Sequence, residues 1–193
     1  MKQSYDETKL PEEKENKTMN TLETISKRSS IRGYENRKLT GEELEVVLQA
    51  GLMAPTATNR QELHFTVVGG DEQCLKELDE EKNALRGLSG LEHNFYYEAP
   101  TLILISGETD FRWSEVDAGI AVENMSLAAT ELGLGSLIIG CIYDAMHGEK
   151  KAYFEKMFRI PEGYDFKIAL AVGYRAVEKE QHTFEAEKQI SFL

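Results

Sequence analysis

The sequence predicts an α+β domain, a mixed central sheet with helices packed around it. Four short apolar runs, 64–70, 99–106, 136–142 and 167–174, have the length and composition of strands. Helix-period segments separate them without the strict strand–helix–strand rhythm of a doubly wound parallel sheet. At 193 residues and 41% hydrophobic, the chain is long enough for one sizeable core and short for two.

In chain order, residues 1–20 mix acids and lysines with few large aliphatics, the composition of a charged N-terminal extension; a single domain is expected over 21–193. From Thr21 the pattern turns helical, with Leu22 and Ile25 sharing a face. In "LTGEELEVVLQAGLMAP", Thr40 and Glu43 make a capping box ahead of an apolar stripe through Leu44, Val47, Leu48 and Leu52, and Pro55 ends the helix. "HFTVVGG" reads as a strand closed by glycines. "DEQCLKELDEEKNALRGL" opens on an aspartate in N-cap position and continues as a surface helix with an acidic solvent face. "APTLILIS" is apolar on both faces, as a central strand would be. "SEVDAGIAVENMSLAATELGLG", rich in alanine with Gly133 as its stop signal, is expected at the centre of the fold. "SLIIGCI" reads as a buried strand, "GEKKAYFEKMF" as a surface helix and "KIALAVGY" as the last core strand.

Charge and composition exclude several functions. With 34 acidic against 22 basic residues the net charge is −12, which disfavours nucleic acid, because phosphate neutralisation needs a basic face. No apolar run approaches the roughly 20 residues of a membrane span, and the N-terminus has no signal-peptide pattern, so a cytoplasmic location is expected. Cys74 and Cys141 stand far apart, without CxxC spacing, and are expected as buried reduced thiols. His64, His93, His147 and His182 form no HxH or HxxxH pair, so no metal is expected.

Motif chemistry narrows the reading further. "GLGSLIIG" has the spacing GxGxxxxG and follows a helix, whereas a dinucleotide fingerprint is GxGxxG between a strand and a helix. GxSxG is also missing. In "SKRSSIRGY", Arg28 and Arg32 surround two serines, a dense set of donors suited to one anionic group in an otherwise acidic chain. Pairing of these arginines with nearby acids is the plainer reading of the same residues. "APTATNRQELHF" places small residues and the Asn59 amide after a proline-terminated helix, either as a turn or as room for a flat ligand. "SGETDFRWSEVD" is a packed loop or part of a substrate lid carrying Phe111 and Trp113.

Taken together, residues 26–65 resemble the N-terminal signature of the nitroreductase family of flavin enzymes: an R-x-S-x-R/K cluster, a helix, then A-P-S-x-x-N-x-Q-P-W and a strand. "DAGIAVENMSLAATELGLGSLIIG" resembles that family's central helix and following turn, and "ALAVGY" its last core strand. The resemblance implies a nitroreductase-like fold, an intertwined homodimer with FMN at the subunit interface, and NADH or NADPH as reductant. It further implies Arg28, Ser29 and Ser30 at the FMN phosphate, Arg32 beside the pyrimidine side of the ring, and Ile138, Ile139 and Gly140 along the ring. Thr56, Ala57, Asn59 and Gln61 would reach the flavin from the second subunit. The flavin carries the chemistry, so no side chain is assigned as a catalytic acid or base. The implied reaction passes hydride through FMN to a small electron-poor acceptor, a nitroaromatic or quinone, by a ping-pong mechanism. Flavin storage or sensing, reductive dehalogenation and dehydrogenation are the alternatives.

Two departures stand out. The family's Q-P-W is Gln61-Glu62-Leu63 here, and a second basic phosphate ligand could be Lys179, His182 or Lys188. "KQISFL" alternates apolar and polar residues and resembles the terminal strand that family members lend to the partner's sheet.

Overall fold

A computed structural model describes residues 20–70, 72–180 and 183–192. Four strands, β1 (His64–Gly69), β2 (Thr101–Glu108), β3 (Leu134–Ile139) and β4 (Tyr164–Tyr174), form one sheet in the order β1-β2-β4-β3. Every neighbouring pair is antiparallel. The parallel relation expected of a mixed sheet survives only between strands one apart, β1 with β4 and β2 with β3, and at the bridge between Ser30 and Ser136. The long helix joining β2 to β3 is thus a crossover between parallel strands, with β4 inserted between them.

Alternation along the two central strands assigns the helices to layers. Leu102 and Leu104 of β2, with Ala169 and Ala171 of β4, face one core cluster; this contains Leu75 and Leu78 of α3 (Gln73–Leu85), Ala145 and Met146 of α5 (Tyr143–His147) and Phe154 of α6 (Lys151–Met157). Ile103, Ile105, Leu170 and Val172 face the other, built from Val47 of α2 (Gly41–Leu52) and Val122, Met125 and Ala129 of α4 (Ser114–Glu131). Both sheet faces are covered, as expected for strands apolar throughout. α4 lies at the centre, in contact with α2, β2, β3 and β4, and α1 (Thr21–Lys27) packs against it. No helix among the described residues is long and apolar enough to cross a membrane.

Local chemistry explains several boundaries. At the start of α2 the Thr40 hydroxyl accepts from the Glu43 N–H, and the Glu43 carboxylate accepts from the Thr40 N–H at 2.8 Å. Thr40→Ala removes the hydroxyl half of this reciprocal cap and should lower stability by about 1 kcal/mol, read as a shift in the urea midpoint at constant slope. Gly133, at φ +74°, occupies the left-handed position after α4 that a side chain resists. Opposite each other on β3 and β4 stand Gly135 and Gly173. A Cβ on Gly135 would lie 2.9 Å from Ile31 Cγ2, and one on Gly173 2.5 Å from Pro100 Cδ and 3.1 Å from Tyr34. These missing methyl groups let the 31–34 segment and Pro100 lie against the sheet.

Some expectations need correction. β3 begins two residues earlier than expected and ends at Ile139; the apolar tail of the run turns instead into the short helix α5, where Ile142 is fully buried as part of the turn. The N-cap of α3 is Glu72, whose side chain caps nothing, and the aspartate expected there, Asp71, lies outside the described residues. In the single chain the C-terminal segment forms a helical turn, α7 (Ala186–Gln189); the strand expected of it would need a partner's sheet edge to complete its ladder. Ile190 and Phe192 beyond it are exposed. Leu22, Ile25 and Leu52, expected on core-facing stripes, are exposed together with Val46, Met53, Val116 and Ile120, leaving an apolar face across α1, α2 and α4.

Candidate functional site

Residues 28–32 run beside β3. Ile31 N–H donates to Ser136 O at 2.9 Å, and Tyr34 O–H donates back to Ile31 O at 3.0 Å. Burial raises the pKa of the Tyr34 phenol, against the opposing pull of Arg32, so it remains a donor. This strand-like docking places Arg32 on the same cavity as Ile138, Ile139 and Gly140. That cavity, about 310 Å³, is also lined by Lys82 and Arg86 of α3 and by His93 and Asn94.

The cavity wall is cationic in a strongly acidic chain. Lys82 is 6% exposed, pairs with Asp79 at 3.0 Å and lies 5.9 Å from the Phe95 ring centroid. Arg86 reaches Asp144 at 3.6 Å. Arg32 has no ion pair among the described residues; its guanidinium lies 5.8 Å from the Tyr97 ring centroid. Cys141, on the same wall, is a free thiol whose pKa is raised by burial despite the opposing charges of Lys82 and Arg86, so it stays protonated. Both cysteines are partly rather than fully buried.

At the other end of the segment, Arg28 meets Glu123 of α4 through Nε at 3.6 Å. Its terminal nitrogens have no partner among the described residues. The Ser29 hydroxyl oxygen is buried and also without a partner. Buried polar atoms are nearly always satisfied, so the unpartnered Ser29 hydroxyl, next in sequence to the lightly engaged Arg28, fits a segment that holds an acceptor. A Cβ on Gly140 would meet only Ile168 Cδ1, at 3.7 Å, which leaves the backbone at the end of β3 open to a flat group.

The second set of expected residues stands elsewhere. Thr56, Ala57, Asn59 and Gln61 follow α2 in a turn where Thr58, Asn59 and Gln61 all have positive φ, between 54° and 58°. Four contacts hold this backbone: Asn59 N–H to Thr56 O, Gln61 N–H to Thr56 Oγ1, Ala57 N–H to Asp117 Oδ2 at 2.9 Å, and Arg60 Nε to Glu108 at 2.8 Å. Arg60 also covers the Phe111 ring at 4.8 Å, which ties the 108–113 loop to the same turn. Within one chain this turn does not line the Arg32 cavity. Asp117, its anchor on α4, precedes Glu123 by six residues, about 9 Å along the helix axis.

Of the open candidates for a second basic ligand, Lys179 is exposed, Lys188 pairs with Glu185, and His182 lies outside the described residues. Sequence reasoning missed Lys82 and Arg86. A signal was present: Lys82 falls at the i+4 step from Leu78 in the Leu75–Leu78 stripe, where an amphipathic helix normally continues with an apolar residue.

The family model described as nitroreductase family matches residues 25–174. A provisionally named NADH dehydrogenase/NAD(P)H nitroreductase of Archaeoglobus fulgidus is 30% identical over 165 residues, covering 82% of this chain and 87% of that protein. A crystal structure of a nitroreductase with bound FMN from Bacteroides fragilis superposes with a TM-score of 0.81 at 30% identity, covering 91% of this chain and 100% of that one. A second, also with bound FMN, from Desulfitobacterium hafniense, gives 0.80 at 28% identity, covering 91% and 99%.

Proposed function

Because the chain belongs to the nitroreductase family, we propose that it is an FMN-dependent oxidoreductase carrying hydride from NADH or NADPH to a small electron-poor acceptor, a nitroaromatic or quinone, in ping-pong order. The observation that carries this reading is the cationic cavity that brings Arg32 to Ile138, Ile139 and the open backbone of Gly140; Arg28 and the buried, unpartnered Ser29 hydroxyl lie outside its lining, on the same segment four and three residues before Arg32. When bound, FMN supplies the redox chemistry, accepting hydride and passing it to the acceptor.

The chain's own residues bind and orient. Arg28 presents a planar fork to the phosphate, Ser29 satisfies its buried hydroxyl there, and Ser30 adds a donor from the adjacent bridge. Ile138, Ile139 and Gly140 lie along the ring. Arg32 sets a fixed positive charge beside its pyrimidine end, where Lys82 and Arg86 deepen the field and Asn94 adds an amide. Such preorganised charge favours electron-rich states of whatever lies against it without any proton transfer by a side chain.

Thr56, Ala57, Asn59 and Gln61 complete the site from a second copy of the chain. The exposed apolar face across α1, α2 and α4 supports this, since Leu22, Leu52 and Met53 are 77%, 64% and 80% exposed. The outer edge of β1 is also unpaired among the described residues, and a cavity of about 570 Å³ runs along it; the partner's 188–193 segment would add there as a strand. Met53→Asp together with Ile120→Asp should convert dimer to monomer by light scattering and lower FMN affinity in parallel. A variant that stays dimeric would remove this face from the interface.

The direct test is reconstitution. Purified protein mixed with FMN should retain it through desalting, show a bound-flavin absorption band, and lose that band on anaerobic addition of NADH or NADPH, with recovery on adding a quinone. Retention without reduction would point to storage, and no retention would overturn the cofactor.

A further inference from the structure

Glu62 takes the place of the proline in the family's Q-P-W, yet the structure buries it to 2% exposure. Both of its carboxyl oxygens are buried and, as a carboxylate, without a donor from any other described residue, its own backbone N–H alone acting on it. The charged and titratable groups around it are Asp117 from α4, Glu108 from β2 and Arg60 from the turn itself; Tyr164 of β4 reaches the same Arg60. Arg60 is engaged by Glu108 through Nε at 2.8 Å and through a second, shorter contact. Asp117, 3% exposed, already accepts the Ala57 N–H and faces the Glu62 carboxyl within hydrogen-bonding reach.

Two buried carboxylates side by side repel, and neither has a free cation to neutralise it. One proton between them satisfies both. We propose that Glu62 is an uncharged carboxylic acid donating its proton to Asp117, and that this pair is a pH-sensitive latch holding the strained Thr56–Gln61 turn in its binding geometry. Glu62 is a positioning residue: it acts through Asp117 on the Ala57 amide, one residue from Thr56 and two from Asn59. The consequence for the flavin rests on the reading that this turn completes the FMN site, whereas the latch itself does not.

Burial pushes the Glu62 carboxyl above its ordinary value of 4.5, against the pull of its own backbone N–H and with the charge and hydrogen bond of Asp117 and the charge of Glu108 on its side. A folded-state value raised in this way means the contribution is complete below the ordinary value and lost as pH climbs through the raised one. Above that point FMN affinity should fall with a slope approaching tenfold per pH unit, the signature of one linked proton.

Glu62→Gln donates an amide N–H to Asp117 at every pH, so its FMN affinity should be flat where the wild type declines. The second readout needs no flavin. In ¹³C spectra of the apoprotein a glutamate carboxyl distinct from that of Glu123, and absent in Glu62→Gln, should titrate above the ordinary range, and the exchange protection of the Ala57 amide should fall with the same midpoint. Asp117→Asn, which removes the neighbouring charge, should move that titration downward and provides the assignment if Glu62→Gln does not fold. An ordinary titration for every glutamate other than Glu123, or an unchanged pH profile in Glu62→Gln, overturns the latch. Failure of every variant and the wild type to bind FMN, with the apoprotein titration intact, would overturn the cofactor reading and leave the latch standing.

Discussion

Arg28→Ala should weaken FMN binding by about 2 to 4 kcal/mol, roughly 30- to 900-fold, the scale for removing a charge-assisted partner from a partly buried phosphate. The geometry sharpens the expectation. Among the described residues the Arg28 side chain holds one long ion pair, to Glu123 at 3.6 Å through Nε, so its terminal nitrogens give up no hydrogen bond there on binding an anion. Glu123 is itself partly desolvated, and burial pulls its pKa up against the opposing influence of Arg28. Two controls separate charge from shape. Arg28→Lys keeps the charge and loses the fork, so it should fall between wild type and alanine. Glu123→Gln releases the guanidinium from its ion pair and should bind FMN at least as tightly as the wild type. Fluorescence titration of FMN measures all three, and an unchanged dissociation constant in Arg28→Ala would place the phosphate elsewhere.

Phe166→Ala should be the most damaging core substitution, costing about 3 to 5 kcal/mol of folding stability. Phe166 is completely buried on β4, directly across from Ser106, where the β2–β4 register shifts. Its ring belongs to the cluster formed with Ile142, Met146, Phe154 and Phe158, so truncation leaves a cavity among large side chains that cannot all collapse into it. Domains of this kind are typically stable by only about 5 to 15 kcal/mol, so the loss is a large fraction of the total. Urea unfolding measures it. Bound FMN at one hundred times its dissociation constant should return about 2.7 kcal/mol to a variant that still binds it. Arg28→Ala should gain no more than about 0.9 kcal/mol at the same FMN concentration, which ties the two experiments together.

The fold was largely legible because its strongest signals are local. Thr40 and Glu43 cap each other three residues apart, Gly133 follows α4 at positive φ, and the apolar runs of β2 and β4 are buried on both faces. Where reading failed, the cause was what lies across from a residue rather than the residue itself. Periodicity shows that Leu22, Ile25 and Leu52 are apolar and in phase, but cannot say whether their cover belongs to the same chain. The short helix α5 hid in the tail of an apolar run because five residues carry too little periodicity to tell a turn from a strand end. In the site, Arg28 to Arg32 and 138–140 were found through a family pattern, and the structure brings Arg32 together with 138–140. Lys82 belongs to no such pattern, and Glu62 enters it only as a departure. Their burial arises from elements far away in sequence: a charged residue inside an apolar stripe is the trace that Lys82 leaves, and a carboxylate where the pattern has proline the trace that Glu62 leaves.

The facing glycines of β3 and β4 carry a consequence for how this protein can diversify. Residues 31–34 rest on the sheet at a height fixed by two absent methyl groups, and the arginines on either side of Ile31 inherit that height. Alanine at position 135 or 173 would lift the whole strap, so a change in the floor of the domain would be felt as altered cofactor affinity. Lineages free to vary the acceptor pocket would therefore keep that floor bare.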